Sequence, residues 1–377
     1  MGRFCLELTS PHVPSPLMSF YTHTMHELKS NPLFSSPVIG IWLLTASLVS
    51  GVAHGTEQKA DLFELSLEEL GRLQVSIASP KRERIIDTPA ITSAYEASDM
   101  QDLGLNTLED ILNFVPGVVV QDSALGTKAV MIRGIVEAFN QKVLFMLNGV
   151  PYWQASHGGI PLLGMPLVYI QRVEIIRGPG AVIFGSNATS GVINVITKSN
   201  DNNEGEIAYG SDNRRHAGLY SHFKGEQLTG NIGVHFRESD GFHAQYNNRP
   251  LLPFYPPDTP TDANYLKQQV SKSVWGKVAS KQWTVNFHHF TSENDGLAAA
   301  GSTLNQSTLK YSGTLLASEY ENQFGIHDLK IFADFNNFYL EIPTQSLVGV
   351  GADGTQYFED SGENNNRARM GAHVNSR

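Results

Sequence analysis

Alternation of apolar and polar side chains is the feature that most constrains the fold of this chain, and it recurs throughout residues 201–377. In residues 227–236, one set of alternate positions includes Ile232 and Val234, and the other includes Asn231 and His235. Residues 282–290 and 328–336 repeat the pattern. Successive side chains of a strand point to opposite faces, so each segment predicts a strand with one apolar face. We count about eight such strands.

The connections between these strands alternate in length. Short ones are expected near residues 211–214, 224–226 and 281, and long ones at Glu238–Ser271, Glu293–Ser307 and Pro343–Asn366. Short turns on one side and long loops on the other are typical of an outer-membrane β-barrel wall. The alternative is a soluble antiparallel sheet with one wet face. The polar positions carry mainly Asn, Thr, Gln, His and Gly rather than Lys and Glu, which favours a wet lumen.

Residues 85–200 predict a compact mixed α/β unit. A helix over NTLEDILNFVPGV has Asn106 or Thr107 as its cap and ends at Pro116-Gly117. Asn148-Gly149 predicts a tight turn. The strands expected here are Val118–Gln121, Ala129–Arg133, Val143–Leu147, Val173–Ile176 and Val192–Thr197.

This unit is too large to fit inside a barrel of eight strands, whose interior is filled by its own side chains. The sequence stops within the strand pattern, at MGAHVNSR. We therefore expect residues 201–377 to form only the first part of a larger wall.

The first 53 residues predict a signal peptide region, and residues 54–84 a polar periplasmic lead. The apolar run Val38–Ala53 ends in small residues at Gly51 and Ala53 and is shorter than the roughly 20 residues of a membrane-spanning helix. An uncleaved anchor is the alternative. Residues 1–24 are interpreted as a mis-assigned start, with Met25 as the initiator. The single cysteine, Cys5, would be lost on cleavage, which excludes disulfides and thiolate chemistry in the mature chain.

Several function classes find no support in the sequence. A formal charge of −10 argues against nucleic acid as a partner. His288 and His289 are adjacent on a strand and face opposite ways, so they cannot hold a metal together. Known hydrolase and metalloprotease motifs are missing from the sequence, and we predict neither an enzyme nor a cofactor. The acidic run Asp201–Glu206 is compatible with calcium, but turn chemistry explains it equally well.

Four segments in residues 85–198 occur in an order and spacing that resemble one family. They are DILNFVPGVVV, MIRGI, VLFMLNGVPY and RVEIIRGPGAVIFGSNATSGVINVITK. Together they resemble the plug domain of TonB-dependent outer-membrane receptors. Asn148 stands where that family usually has Asp, and Phe184 where it usually has Tyr. The resemblance implies an α+β plug followed by an antiparallel transmembrane β-barrel, here about eight strands of an expected 22.

The glycines of the last segment do not match a phosphate-binding loop, because Gly185 is followed by a strand and not by a Lys-Ser/Thr pair and a helix. We expect them to provide unusual backbone angles and close strand contacts. The residues assigned this structural role in the plug are Gly134, Gly178, Pro179, Gly185, Gly191 and Asn194.

The resemblance also implies three sets of functional residues. The expected TonB box, an extended segment that pairs with the partner protein by strand addition, comprises Leu73, Gln74, Val75, Ser76, Ile77, Ala78 and Ser79. An ordinary linker strand is the alternative. Arg133, Glu174 and Arg177 are assigned to the lock between plug and wall. The two arginines are expected to bind acidic residues of the wall, which would lie beyond residue 377. The alternative is an internal pair, such as Arg177 with Glu174.

Ligand contacts are expected in the apical loop 151–161, at Tyr152, Trp153, Gln154 and His157. Packing of Trp153 against the wall is the alternative. The implied function is energised uptake of a ferric siderophore, haem or cobalamin across a Gram-negative outer membrane. The implied partners are TonB with its inner-membrane energising complex, outer-membrane lipid and the large nutrient. A truncated nonfunctional fragment and a periplasmic plug-only binding module are the alternatives.

Overall fold

The computed structural model describes a defined set of residues, and all structural statements below refer to them. They are 4–8, 74–75, 83–84, 91–122, 128–135, 140–178, 184, 187–241, 243–247, 262–266, 268–297, 306–350 and 356–376. Most of the predicted signal peptide region and of the predicted lead lies outside this set. Within the described residues, no helix is both long enough and apolar enough to span a membrane.

The plug is built on a sheet of five strands. They are β4 (Thr92–Glu96), β7 (Val143–Leu147), β8 (Val150–Pro151), β9 (Ile170–Arg177) and β10 (Gly191–Thr197). Their order in the sheet is β4-β9-β10-β7-β8. β10 and β7 are parallel, and the other pairs are antiparallel. Strands β5 (Val118–Asp122) and β6 (Lys128–Ile132) form a separate hairpin. The predicted plug strands are therefore confirmed as elements.

Short helices complete the described part of the plug. Helix α1 spans Ala97–Asp102 and α2 spans Leu108–Phe114, and two 3-10 turns span Leu162–Gly164 and Leu167–Tyr169. Thr107 caps α2, because its Oγ1 accepts a hydrogen bond from Asp110 N at 3.0 Å. The helix ends just before Pro116, as its sequence predicts.

The wall is an antiparallel sheet in which eight strands follow one another along the chain after the plug. They are β11 (Glu204–Tyr209), β12 (Arg215–Lys224), β13 (Thr229–Ser239), β16 (Gln269–Ala279), β17 (Trp283–Leu297), β18 (Gln306–Phe324), β19 (His327–Val350) and β20 (Gln356–Ser376). A hairpin of β14 (His243–Asn247) and β15 (Asp262–Leu266) lies within the long connection after β13. The strand β1 (Phe4–Leu8) pairs with β20 at the edge of the sheet.

The prediction of a long loop at Pro343–Asn366 is wrong. The β19–β20 hairpin stays paired as far as Val350 and Gln356. Its register shifts between Ile342 and Ser346, around Pro343, which has no N–H to donate to the ladder. Pairing between the two strands extends both of them beyond the end of the regular sequence pattern.

The two faces of the wall have the polarity that alternation predicts. On β13, Ile232 and Val234 are 53% and 47% exposed on the outer face, whereas Asn231 and His235 are 5% and 7% exposed on the face next to the plug. On β17, Phe287 lies on the outer face and His288 on the inner one. The fold is thus an α+β plug against the inner face of a partial antiparallel barrel.

Candidate functional site: the contact between plug and wall

The apical loop of the plug begins with a tyrosine that is buried against the wall. The Tyr152 hydroxyl lies 3.1 Å from His288 Nδ1, and His288 Nε2 lies 3.0 Å from Gly164 O. A carbonyl can only accept, so Nε2 carries the proton and Nδ1 accepts from Tyr152. Burial raises the pKa of Tyr152 well above its usual value, which keeps this donor protonated. One wall imidazole therefore joins two separate segments of the plug.

Aromatic rings surround this hydrogen-bonded group. The ring centroids of Tyr169 in the plug and Trp275 in β16 are 4.4 Å apart. Phe290 packs so closely beside Gly164 that an added Cβ would clash with its ring. Buried aromatic pairs add to the free energy of simple area burial. This part of the contact is apolar and closely packed.

The backbone of the same loop is held by wall side chains. Pro151 O accepts hydrogen bonds from Asn336 Nδ2 at 3.2 Å and from Arg367 Nη2 at 2.6 Å. The Arg367 guanidinium also lies 5.5 Å from the centroid of the Trp153 ring, in cation–π geometry. Asp334 provides negative charge beside this cation, since its Oδ1 lies 3.7 Å from Arg367 Nη2.

The Glu363 carboxylate of β20 contacts three polar side chains of the loop. Its Oε1 accepts from Ser156 Oγ at 2.9 Å, lies 2.8 Å from His157 Nδ1, and accepts from Gln154 Nε2. Hydrogen bonds to a carboxylate are stronger than neutral ones. We call this group the Glu363 clamp.

These contacts bear on the predicted ligand residues. Tyr152 and Gln154 are 0% and 1% exposed, so neither offers surface to a ligand in this arrangement. Trp153 packs against Arg367, which is the alternative that the sequence left open, and His157 contacts Glu363. Ligand contact by Trp153 and His157, which are both partly exposed, stays a prediction.

The predicted lock residue Glu174 is paired within the plug. It is fully buried and is bound by Arg172 Nη2 at 2.8 Å and by Asn194 Nδ2 at 3.3 Å. The internal carboxylate pair therefore exists, but with Arg172 in place of Arg177.

The predicted lock residue Arg177 also contacts the plug. Its Nη1 and Nη2 donate to Pro116 O and Ser93 Oγ, at 3.0 and 2.8 Å. The third lock residue, Arg133, lies with its guanidinium beside Gly178 of the plug. A lock of these residues to further acidic wall groups stays a prediction.

Two of the glycines that were assigned a structural role lie where the backbone or its neighbours favour glycine. Arg133 and Gly134 both have positive φ, 56° and 73°, in a turn closed by the hydrogen bond from Ile135 N to Ile132 O. At Gly191, an added Cβ would clash with Ile176 O, so only glycine fits between the two strands. Pro179 and Gly185 lie outside the described residues.

Asn148 contributes a further plug–wall contact. Its Oδ1 accepts from Thr197 N at 3.0 Å, and its Nδ2 donates to Asn286 Oδ1 of β17 at 3.2 Å. An aspartate has no amide proton for this contact, so the departure from the expected Asp creates a bond to the wall. Asn194 supports the same turn by accepting from Gly149 N at 2.9 Å.

Of the predicted TonB box, Gln74 and Val75 alone are among the described residues. They form β2 (Gln74–Val75), which pairs with β3 (Glu83–Arg84). This pairing is compatible with the linker alternative for those two positions. The assignment of the box stays a prediction.

The carboxylates of the candidate calcium segment have protein partners. Glu204 binds Lys198, and Glu206 binds His216. Within the described residues, no group of three or more His, Cys, Asp or Glu is placed to hold a metal ion.

Sequence reasoning missed the wall partners His288, Glu363 and Arg367. Alternation places His288 on the inner face, but it does not say which plug residue lies opposite. A charged residue at an inward strand position is the signal that could have marked Glu363 and Arg367.

Comparison with known proteins agrees with this architecture. The family described as "TonB-dependent Receptor Plug Domain" matches residues 84–192. The chain is 30% identical over 303 residues to the "Vitamin B12 transporter BtuB" of Vibrio vulnificus (strain CMCP6), covering 75% of this chain and 46% of the relative. A protein of the same name from Photobacterium profundum is 28% identical over 183 residues, covering 47% of this chain and 30% of the relative. The chain thus spans less than half the length of these relatives.

Solved structures share the fold. The pyoverdine outer membrane receptor FpvA from Pseudomonas aeruginosa PAO1 superposes with a TM-score of 0.60 at 14% identity, over 80% of this chain and 45% of that one. The ferric-catecholate import receptor Fiu from E. coli K12 gives 0.53 at 16% identity, over 80% and 48%. With the plug match, the curated relatives and this shared architecture together, the chain carries a TonB-dependent receptor plug domain at residues 84–192 and is similar to TonB-dependent outer-membrane receptors over that plug and eight strands of the barrel wall.

Proposed function

We propose that this chain is part of a receptor that takes up a scarce, large nutrient across the Gram-negative outer membrane with energy supplied through TonB. The observation that carries the proposal is the placement of the plug. It lies against the inner face of a wall whose outer face is apolar, so the wall is built to meet lipid while the plug closes its lumen.

In this proposal the contact between plug and wall is the part that must rearrange. Ligand capture on the apical side changes the exposure of a periplasmic segment, and pulling on that segment by TonB displaces the plug. The Glu363 clamp and the Tyr152–His288 contact would resist that displacement. Transport then requires that TonB supply the work needed to break them.

The nutrient is proposed to be a cobalamin, a ferric siderophore or haem. Cobalamin comes first, because the curated relatives reported above are named vitamin B12 transporters. The siderophore class is supported by the shared fold alone.

A truncated nonfunctional fragment and a plug-only binding module are the two alternative functions. A truncated nonfunctional fragment would not insert into the membrane. A plug-only binding module would be soluble in the periplasm. Membrane fractionation with heat-dependent gel migration separates them: the receptor proposal predicts an outer-membrane product whose migration changes on boiling, and a soluble monomer would contradict it.

Uptake is tested in cells that carry the complete locus, with labelled cobalamin, ferric chelates and haem. Val75→Pro is the variant for the TonB box, because it removes a backbone donor from an extended segment. We expect it to abolish uptake with unchanged surface binding. Arg84→Pro, in the partner strand β3, is the matched control, since it disturbs the same hairpin outside the predicted box. Equal loss from both variants would favour the linker alternative.

A further inference from the structure

A polar cavity of about 150 Å³ lies between the plug and strands β12, β13 and β16 of the wall. The plug lines it with Glu109 and Asp110 at the start of α2, and the wall side lines it with Arg214, His235 and Arg237. It is separate from the Glu363 clamp, which involves β20 at another part of the wall.

Two basic side chains of this cavity have buried nitrogen atoms without partners. His235 is 7% exposed, and its Nδ1 makes no hydrogen bond with any described residue. The same holds for Arg237 Nε in the described part of the chain. Arg237 Nε can only donate, and a buried donor without an acceptor is costly on a charged guanidinium. His235 Nδ1 can donate or accept, depending on the tautomer of the ring. A ligand that fills this cavity would therefore need to provide a hydrogen-bond acceptor.

Neither carboxylate of the plug accepts a hydrogen bond from these two nitrogen atoms. Glu109 is bound to Lys128 Nζ at 3.0 Å. Asp110 Oδ2 accepts from Asn106 N at 3.1 Å, and Oδ1 is the second acceptor of the same carboxylate. The cavity thus combines two arginines and two histidines on the wall side with a carboxylate acceptor on the plug side. One of these histidines, His216, is already bound to Glu206.

We propose that this cavity binds a hydrogen phosphate group, either free or as a phosphate monoester. Its volume of about 150 Å³ is large enough to hold a tetrahedral oxyanion together with water. Arg214 and Arg237 provide the guanidinium groups that favour phosphate, and His235 provides a third donor.

Asp110 sets the selectivity of the site. A carboxylate repels an oxyanion unless that anion brings a proton to share. Hydrogen phosphate has such a proton and sulfate has none at neutral pH, so the site should discriminate between two ions of similar size. A phosphate held here would bridge plug and wall by contacts to both.

Phosphate binding at this cavity is independent of nutrient transport, so it can be tested on the chain itself. The full chain, purified in detergent and freed of phosphate, is titrated near pH 6 with sodium phosphate, sulfate and methyl phosphate by calorimetry. Phosphate should bind with one site per chain, and sulfate at least about tenfold more weakly. Binding of methyl phosphate would identify a monoester site, and its failure to bind would identify a site for free phosphate.

Variants then assign the contacts. Arg237→Gln and His235→Asn should each weaken phosphate binding by about tenfold or more. Asp110→Asn should raise the affinity for sulfate and so reduce the difference in affinity between phosphate and sulfate. Arg215→Gln is the matched control, because Arg215 is exposed and lies beside the cavity residue Arg214 without lining the cavity.

Each variant is first checked for native gel migration before boiling. If Arg237→Gln fails this check, Asp110→Asn alone decides, since its readout is a gain of sulfate binding that misfolding cannot produce. Equal affinity for phosphate and sulfate in the natural chain, or no binding of phosphate, would overturn the proposal.

Discussion

The Tyr152 hydroxyl in the plug and His288 Nδ1 in the wall are hydrogen-bonded at 3.1 Å across 136 positions of sequence, and both residues are fully buried. The bond fixes the tautomer of His288, whose other nitrogen donates to Gly164 O. It therefore couples the orientation of a wall side chain to two segments of the plug.

Replacing Tyr152 with Phe should destabilise the contact by about 1–3 kcal/mol, because it leaves the buried Nδ1 without a donor while retaining the ring. The measurement is the free energy of unfolding in denaturant, followed by tyrosine and tryptophan fluorescence. Tyr209→Phe is the control: Tyr209 is on the outer face, its hydroxyl bond to Asn213 is exposed, and the change should stay within about 0.5 kcal/mol. Equal effects of the two would contradict the role given to the buried bond.

Steric fit at Gly164 can be tested separately. Gly164→Ala would drive a methyl group into the Phe290 ring, so it should cost about 1–3 kcal/mol of stability by overpacking. Pairing it with Phe290→Leu should recover part of the loss. Gly210→Ala is the matched control, since its nearest neighbour, Arg214 Cβ, would be 3.8 Å away. Failure of Phe290→Leu to compensate would mean that the strain arises elsewhere.

The parts of this architecture that could be predicted from the sequence are those that depend on local rules. Alternation identified the outer and inner faces of the wall at Ile232 and His235, because the side-chain period of a strand is fixed by its backbone. Asn106 and Thr107 located the start of α2 to within one position, and the structure shows that Thr107 is the cap, because its side chain bonds within its own turn.

The partner of Glu174 was not predicted, although the same alternation points to it. Arg172 lies two positions away on the same face of one strand and binds Glu174. Arg177 is three positions away, so it faces the other way in the alternation and binds Pro116 O instead. The wall partner Glu363 lies more than 200 positions from the loop it binds, and only the assembled fold brings the two together.

Removing one partner of the Arg172–Glu174 pair should cost more stability than removing the other. Removing the cation with Arg172→Met should cost about 3–5 kcal/mol, because it weakens the compensation of a fully buried carboxylate. Neutralising the acid with Glu174→Gln should cost less, and the double variant should be more stable than Arg172→Met alone. Denaturant unfolding of the three variants checks the order. A double variant as unstable as the sum of the singles would show that the two residues act independently.

Acidic pH should stabilise the plug through Glu96. Burial is the main cause that raises the pKa of this carboxyl above 4.5, with Asp99 and Glu174 adding to the shift and Arg172 opposing it. The folded state then binds more protons than the unfolded state, so this contribution to the unfolding free energy falls as pH rises from about 4.5 through the raised pKa. Glu96→Gln should flatten the pH dependence in that window and stabilise the chain at pH 7. A profile that Glu96→Gln leaves unchanged would assign the effect to another group.

The Glu363 clamp should control the mobility of the apical loop. Glu363→Ala removes the acceptor of Gln154, Ser156 and His157 together, so the backbone amides of residues 154–159 should exchange hydrogen faster. Hydrogen–deuterium exchange with mass spectrometry measures this against the natural chain in the same detergent.

The control for the clamp is Glu341→Ala, because Glu341 binds Lys310 and Tyr339 within the wall and does not contact the loop in the described structure. It should leave the exchange of the loop unchanged. If the loop stays as protected in Glu363→Ala as in the natural chain, its position is set by the contact of Arg367 with Pro151 O instead, and Arg367→Gln should then produce the loosening.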